Sequence, residues 1–204
     1  MTARTTVSIA FAAMAALATA SALADGNHGG NGNGNGSGNG GNDEDNGTTF
    51  ATKLVGYEET PLTLNSPGSG SFTATVNAAG TAIDYTLSYT TLSSAVTQAH
   101  IHFGRPATTG QIVLFLCTNL APPAGVPMPQ ACPPAPATIT GTLTAADVIA
   151  RPTQNIDAGA AGFAEMIKAM RARAAYANVH TTLFPTGEIR GAVGLRDNDD
   201  DDND

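Results

Sequence analysis

The chain has 204 residues with nine basic and 17 acidic side chains, a net charge of −8, yet only 13% of it is charged and it holds 23 Gly and no Trp. Four acids (Asp25, Asp43, Glu44, Asp45) precede residue 48 and six (Asp197, Asp199, Asp200, Asp201, Asp202, Asp204) follow residue 196, so the acidity belongs to the tails and the body between them is nearly neutral. A nucleic-acid partner, which needs a clustered basic field, is excluded on this distribution, and the length allows one globular domain at most.

In chain order, Arg4 is followed by an apolar, Ala-rich run from Val7 to Leu17 and by the small-x-small pattern Ala22-Leu23-Ala24. Residues 1–24 are therefore expected to be a secretory signal peptide, which makes the mature chain exported, either periplasmic or extracellular. No later stretch reaches the roughly 18 to 20 apolar residues of a membrane span. Residues 25–48 are Gly, Asn and acids with almost nothing apolar to bury, as expected of a disordered linker.

The body, 49–196, has the periodicity of strands. Phe72, Ala74 and Val76 alternate with Thr73, Thr75 and Asn77, and Ile83, Tyr85, Leu87 and Tyr89 alternate with polar neighbours, the two runs joined by a turn at Ala78-Ala79-Gly80. Further strands are expected at Phe50–Gly56, Thr97–Phe103, Gln111–Cys117, Ala137–Leu143, Ala174–Thr181 and Glu188–Val193. The run QIVLFLC is apolar on both faces and reads as a central strand or one covered on both sides. Eight strands with turns between them predict an all-β fold, an antiparallel β-sandwich or small Greek-key-like barrel. Cys117 and Cys132 are the only cysteines, and in an exported chain they are expected to form a disulfide.

A short helical insert is expected near residues 144–172. Thr144 to Asp147 has the spacing of a capping box, and Phe163, Met166, Ile167, Met170 and Ala174 form one stripe of an amphipathic helix over the sheet. Residues 197–204 form an acidic, disordered tail without the turn Gly or ligand spacing of a calcium loop.

Chemistry rests on few residues. His100 and His102 are two apart on a strand and so project to one face, their Cβ atoms roughly 6 to 7 Å apart, while Ala99, Ile101 and Phe103 take the opposite, core face. His180 shares a face with Asn178 and Tyr176. Should the two strands lie close, three neutral imidazoles suit a copper or zinc ion with one position left open. The competing expectation is a structural hydrogen-bond network, with Glu188, Arg190, Asn178 and Tyr176 around the histidines and Glu188 also a conceivable ligand. No nucleophile elbow, phosphate-cradling loop or His-Glu-x-x-His helix is present.

The segments LVGYEETPL, GSGSFTATVNAAGTAIDYTLSYTTLSS, AHIHFGRPATTGQIVLFLC and AAYANVHTTLFPTGEIRGAV resemble, in order, those of the CHRD domain, a module of chordin that also occurs in stand-alone exported bacterial proteins. The resemblance implies a β-sandwich-like domain of largely unassigned function. AHIHFG is also similar to the His-x-His strand of copper/zinc superoxide dismutases, which are Greek-key barrels, but that family uses more histidines and an Asp for two metals. Three functions follow as expectations: a non-catalytic binding or structural module for a protein, matrix or surface component; an exported copper- or zinc-binding protein using His100, His102 and His180; and a mononuclear metalloenzyme with an open coordination position in a pocket.

Overall fold

The structure, a computed structural model, describes residues 48–122 and 124–196. The expected signal peptide, nearly all of the expected linker and the acidic tail lie outside the described residues.

Among the described residues, eight strands follow in chain order: β1 (Thr49–Val55), β2 (Ser69–Val76), β3 (Ala82–Thr90), β4 (Val96–Phe103), β5 (Gln111–Thr118), β6 (Ala137–Thr144), β7 (Ala175–Thr181) and β8 (Ile189–Leu195), with a helix α1 (Gly159–Arg171) between β6 and β7. They form one sheet in the order β5-β4-β7-β8-β1-β2-β3-β6, every pair antiparallel. The crossings from β3 to β4 and from β6 to β7 give the sheet the non-sequential order of a Greek key, and it curls into a nearly closed barrel. The fold class is the one expected.

Alternation in β2 and β3 turns Phe72, Ala74, Val76, Ile83, Tyr85, Leu87 and Tyr89 into the interior, where they meet Ala99 and Ile101 of β4 and Ala177 and Val179 of β7. Burying each of the larger of these side chains stabilises the fold by about 1.5–3 kcal/mol. The hairpin between β2 and β3 closes as its sequence predicts: Asn77 Oδ1 accepts from the Thr81 N–H at 2.9 Å, and Gly80 takes the left-handed φ of 67°.

The seam between the two edge strands is closed by side chains and a disulfide. Tyr85 Oη donates to the Leu116 carbonyl of β5 at 2.6 Å. Gln130 accepts from the Thr118 N–H with its backbone and donates from Nε2 to the Thr140 carbonyl of β6 at 2.9 Å, and Cys117 is bonded to Cys132. The disulfide accords with an exported protein, and among the described residues no helix is long and apolar enough to cross a membrane.

Three details differ from the sequence reading or narrow it. QIVLFLC is an edge strand, so of the two alternatives it is the covered one: β4 pairs with one side, and on the other the insert reaches it through Ile149 N–H to the Val113 carbonyl. Thr144 to Asp147 opens only a 3-10 turn, with Asp147 Oδ2 accepting from the Thr144 N–H at 2.7 Å. Helix α1 buries Phe163, Met166, Ile167 and Met170 in the barrel core but ends before Ala174, because Arg173 takes a left-handed φ of 51°.

Candidate metal centre

Strands β4 and β7 are neighbours, and their register sets Gln98 opposite His180, His100 opposite Asn178 and His102 opposite Tyr176. Since Ala99, Ile101, Ala177 and Val179 fill the interior, the three histidines share the outer face, as the alternation predicts. That face is nevertheless closed: His100 is 0% exposed, His102 7% and His180 5%. The residue types of the strands set the side on which the histidines stand. The connections that follow β4 and β7 cover them.

The first cover is the β4–β5 hairpin. Its backbone folds back so tightly that a Cβ on Gly110 would lie 1.9 Å from the Phe103 carbonyl oxygen, so no side chain fits there. The Gly110 carbonyl accepts from His102 Nδ1 at 3.0 Å, and its N–H donates to Tyr176 Oη at 3.1 Å. Tyr176 stacks on His102, with centroids 4.5 Å apart and an interplanar angle of 9°, and the Arg190 guanidinium lies over its other face at 3.5 Å. Arg190 Nη2 then donates to the carbonyls of Arg105 (3.2 Å) and Thr108 (2.7 Å) in the same hairpin. The second cover is the β7–β8 connection, whose Pro185 carbonyl accepts from His180 Nδ1 at 3.1 Å.

These contacts fix the tautomers. With Nδ1–H committed to a carbonyl on both His102 and His180, each Nε2 carries a bare lone pair. His180 Nε2 lies 3.2 Å from His100 Nδ1, and one potential ligand atom from each of the three histidines lies within 4.8 Å of the others. Because His180 Nε2 is a bare acceptor, His100 Nδ1–H donates to it; two nitrogens on one zinc at 2.0–2.1 Å and a tetrahedral angle stand about 3.3 Å apart, so an ion that displaced this proton would meet the same spacing. The edge of Phe115 packs on His100 with centroids 4.5 Å apart. The β4–β5 pairing has register shifts beside His100 and His102, and β5 is buried on both faces, with Phe115 against His100 and Val113, Leu114 and Leu116 in the hydrophobic core.

Electrostatics keep the imidazoles neutral, the form that ligates a metal. Burial, then the neighbouring His180 and His102, pushes His100 down to about 2; burial pushes His102 down to about 4 despite the Gly110 bond, and His180 is lowered by burial as well. Arg151 contributes positive charge toward His100 and His102, and Arg190 toward His102.

Of the surrounding residues expected from sequence, Tyr176 and Arg190 hold His102 and its loop, and Asn178 stands beside His100. Glu188 does something else. Its Oε1 accepts from Ser66 Oγ and the Ser93 N–H, and its Oε2 accepts from Thr181 Oγ1, each at 2.7 Å, so it ties three loops together and touches no histidine through either oxygen. Burial alone would raise this carboxyl, but those bonds hold it below the usual range.

Sequence reasoning passed over Glu59, Phe115 and Arg151. Glu59 follows a 3-10 turn (Gly56–Glu58), is 6% exposed, and accepts from Asn178 Nδ2 at 3.5 Å; burial, opposed by Arg190, pushes its carboxyl up to about 7. Only the close approach of the β1–β2 connection to β7 reveals it. The buried side-chain N and O atoms without a hydrogen-bond partner among the described residues are Glu59 Oε1, His100 Nε2, His102 Nε2 and Asn178 Oδ1, all at this one place.

The family model of the CHRD domain matches residues 50–193, from the second residue of β1 into β8. The chain belongs to the CHRD family. All three histidines and their covers fall inside the matched span of this CHRD domain. No curated protein and no solved structure matched the chain.

Proposed function

We propose that this CHRD protein is an exported, non-catalytic metal-binding module that holds one copper or zinc ion on His100, His102 and His180. The observation that carries the reading is the concentration of unpartnered buried polar atoms at the histidines. A buried polar group without a partner costs about 1–3 kcal/mol, and four such atoms cluster where three neutral imidazoles offer ligand atoms within 4.8 Å. An ion on His102 Nε2 would turn one of these deficits into a bond. Tyr176, Arg190 and the Gly110 carbonyl would serve as the outer groups that orient the ligands. Burial of every ligand favours retention of the ion over turnover, which is why we place the module ahead of a metalloenzyme. A macromolecular partner in a matrix or on a surface is compatible with this role.

The test is titration of the untagged chain with Cu⁺, Cu²⁺ and Zn²⁺, beside a variant with His100, His102 and His180 all changed to Ala. The proposal expects one ion bound tightly by the parent and lost by the variant. Weak binding that persists in the variant would assign the metal to the acidic tails and overturn it.

A further inference from the structure

Three neutral imidazoles bring no charge to an ion, and Arg151 and Arg190 add positive charge beside them. A divalent ion in so closed a site needs an anion nearby, since an unpaired buried charge is strongly disfavoured. Glu188 is the first candidate by sequence position, but both its oxygens are committed to Ser66, Ser93 and Thr181. Glu59 is differently placed. It is buried, its Oε1 has no partner, and its Oε2 receives a long bond from Asn178, a residue that stands opposite His100 across β4 and β7 and opposite Arg190 across β7 and β8.

The two unpartnered oxygens of this pair share one remedy. If Glu59 carries a proton, its hydroxyl can donate to Asn178 Oδ1 while Asn178 Nδ2 donates to Glu59 Oε2, a reciprocal acid–amide pair that satisfies both groups with a single proton. A side chain at Gly187 would destroy it, because a Cβ there would come within 2.6 Å of Asn178 and 2.7 Å of Glu59. The titratable groups that act on Glu59 are Arg190 of β8, Glu188 of the β7–β8 connection and Tyr176 of β7.

Building on the three-histidine reading, we infer that Glu59 is the charge-balancing carboxylate of the site: neutral and paired with Asn178 when the site is empty, ionised when a divalent cation occupies it, and hence the residue that favours a divalent over a monovalent ion. The step balances, since one proton leaves the Glu59 carboxyl for solvent as one divalent ion enters. Glu59 is a positioning and charge-balancing residue one side chain away from the ligands.

The experiment compares the full, untagged chain with Glu59→Gln, whose amide can still pair with Asn178. Zn²⁺ and Cu⁺ affinities are measured for both, and infrared difference spectra are recorded for the parent near pH 6, where a free Glu with a pKa of about 4.3 is ionised. The inference expects Zn²⁺ affinity to fall about tenfold or more in the variant, Cu⁺ affinity to stay within about threefold, and the carbonyl stretch of a protonated carboxyl in the parent to vanish as Zn²⁺ fills the site. Equal losses for both ions, no loss for either, or a protonated-carboxyl band that survives Zn²⁺ would overturn it; the infrared arm decides even if the variant fails to fold. If the triple-histidine variant keeps its Zn²⁺ affinity, the metal reading itself has failed. Loss in that variant with no effect of Glu59→Gln would sink only the present inference.

Discussion

Acidification of the metal-free chain probes the buried cluster directly. In the fold, His100 and His102 stay neutral down to about 2 and about 4, whereas in the unfolded chain they take up protons below about pH 6.5. Stability from these groups is thus present above pH 6.5 and lost as the pH falls. Between pH 7 and pH 5 the loss is about 2 kcal/mol for each of the two, and His180, shifted the same way, adds to it. Glu59 acts in the opposite sense. Its carboxyl is raised to about 7 in the fold, so its contribution is largest in acid and declines as the pH rises through 7, offsetting about 2 kcal/mol of the histidine loss over the same interval. The net is a loss of at least about 2 kcal/mol, which at a typical urea dependence near 2 kcal/mol per molar lowers the unfolding midpoint by about 1 M. Urea unfolding of chelator-treated protein, followed by circular dichroism at pH 7, 6 and 5, measures it, and Glu59→Gln should make the fall steeper. An unchanged or rising midpoint at pH 5 would mean that the histidines accept protons within the fold, and the account of their burial would be wrong.

Three further outcomes are expected. Arg190→Ala should release the Arg105–Thr108 hairpin and loosen the stack on His102, seen as faster amide exchange across residues 104–110 and metal affinity lower by about 10- to 100-fold. Replacing Cys117 and Cys132 together by Ser should cost about 3 kcal/mol in chemical unfolding, the loop-closure value for a 15-residue separation. Gly191→Ala should destabilise the chain by about 1–3 kcal/mol in the same assay, the range for overpacking, because its Cβ would sit 2.1 Å from the Lys53 carbonyl oxygen.

Much of this CHRD domain was legible in the order of its residues. Period-two alternation in β2 and β3 placed Phe72 to Tyr89 on the core side without any knowledge of partners, because a strand has only two faces and one must leave water. The same rule placed His100, His102 and His180 opposite the apolar side. The pairing of Cys117 with Cys132 needed only the count of cysteines and an exported setting. Local signals failed where the outcome depends on distant chain. QIVLFLC reads the same whether it is central or an edge strand under an insert, and the stripe through Ala174 runs past a helix that a left-handed Arg173 stops.

The site divides along the same line. Sequence by itself determined the three histidines and the face of the strands they occupy, since both follow from residue identity and a spacing of two. Tertiary structure alone decided that β4 and β7 are neighbours, so that residues 80 apart share a hydrogen bond, and that the β4–β5 and β7–β8 connections close over an outer face that alternation leaves open. It also decided which carboxylate lies buried with an unpartnered oxygen beside Asn178. Glu188 and Glu59 are alike in composition, and only their surroundings make one a fully bonded tie between loops and the other a buried acid with an oxygen to spare.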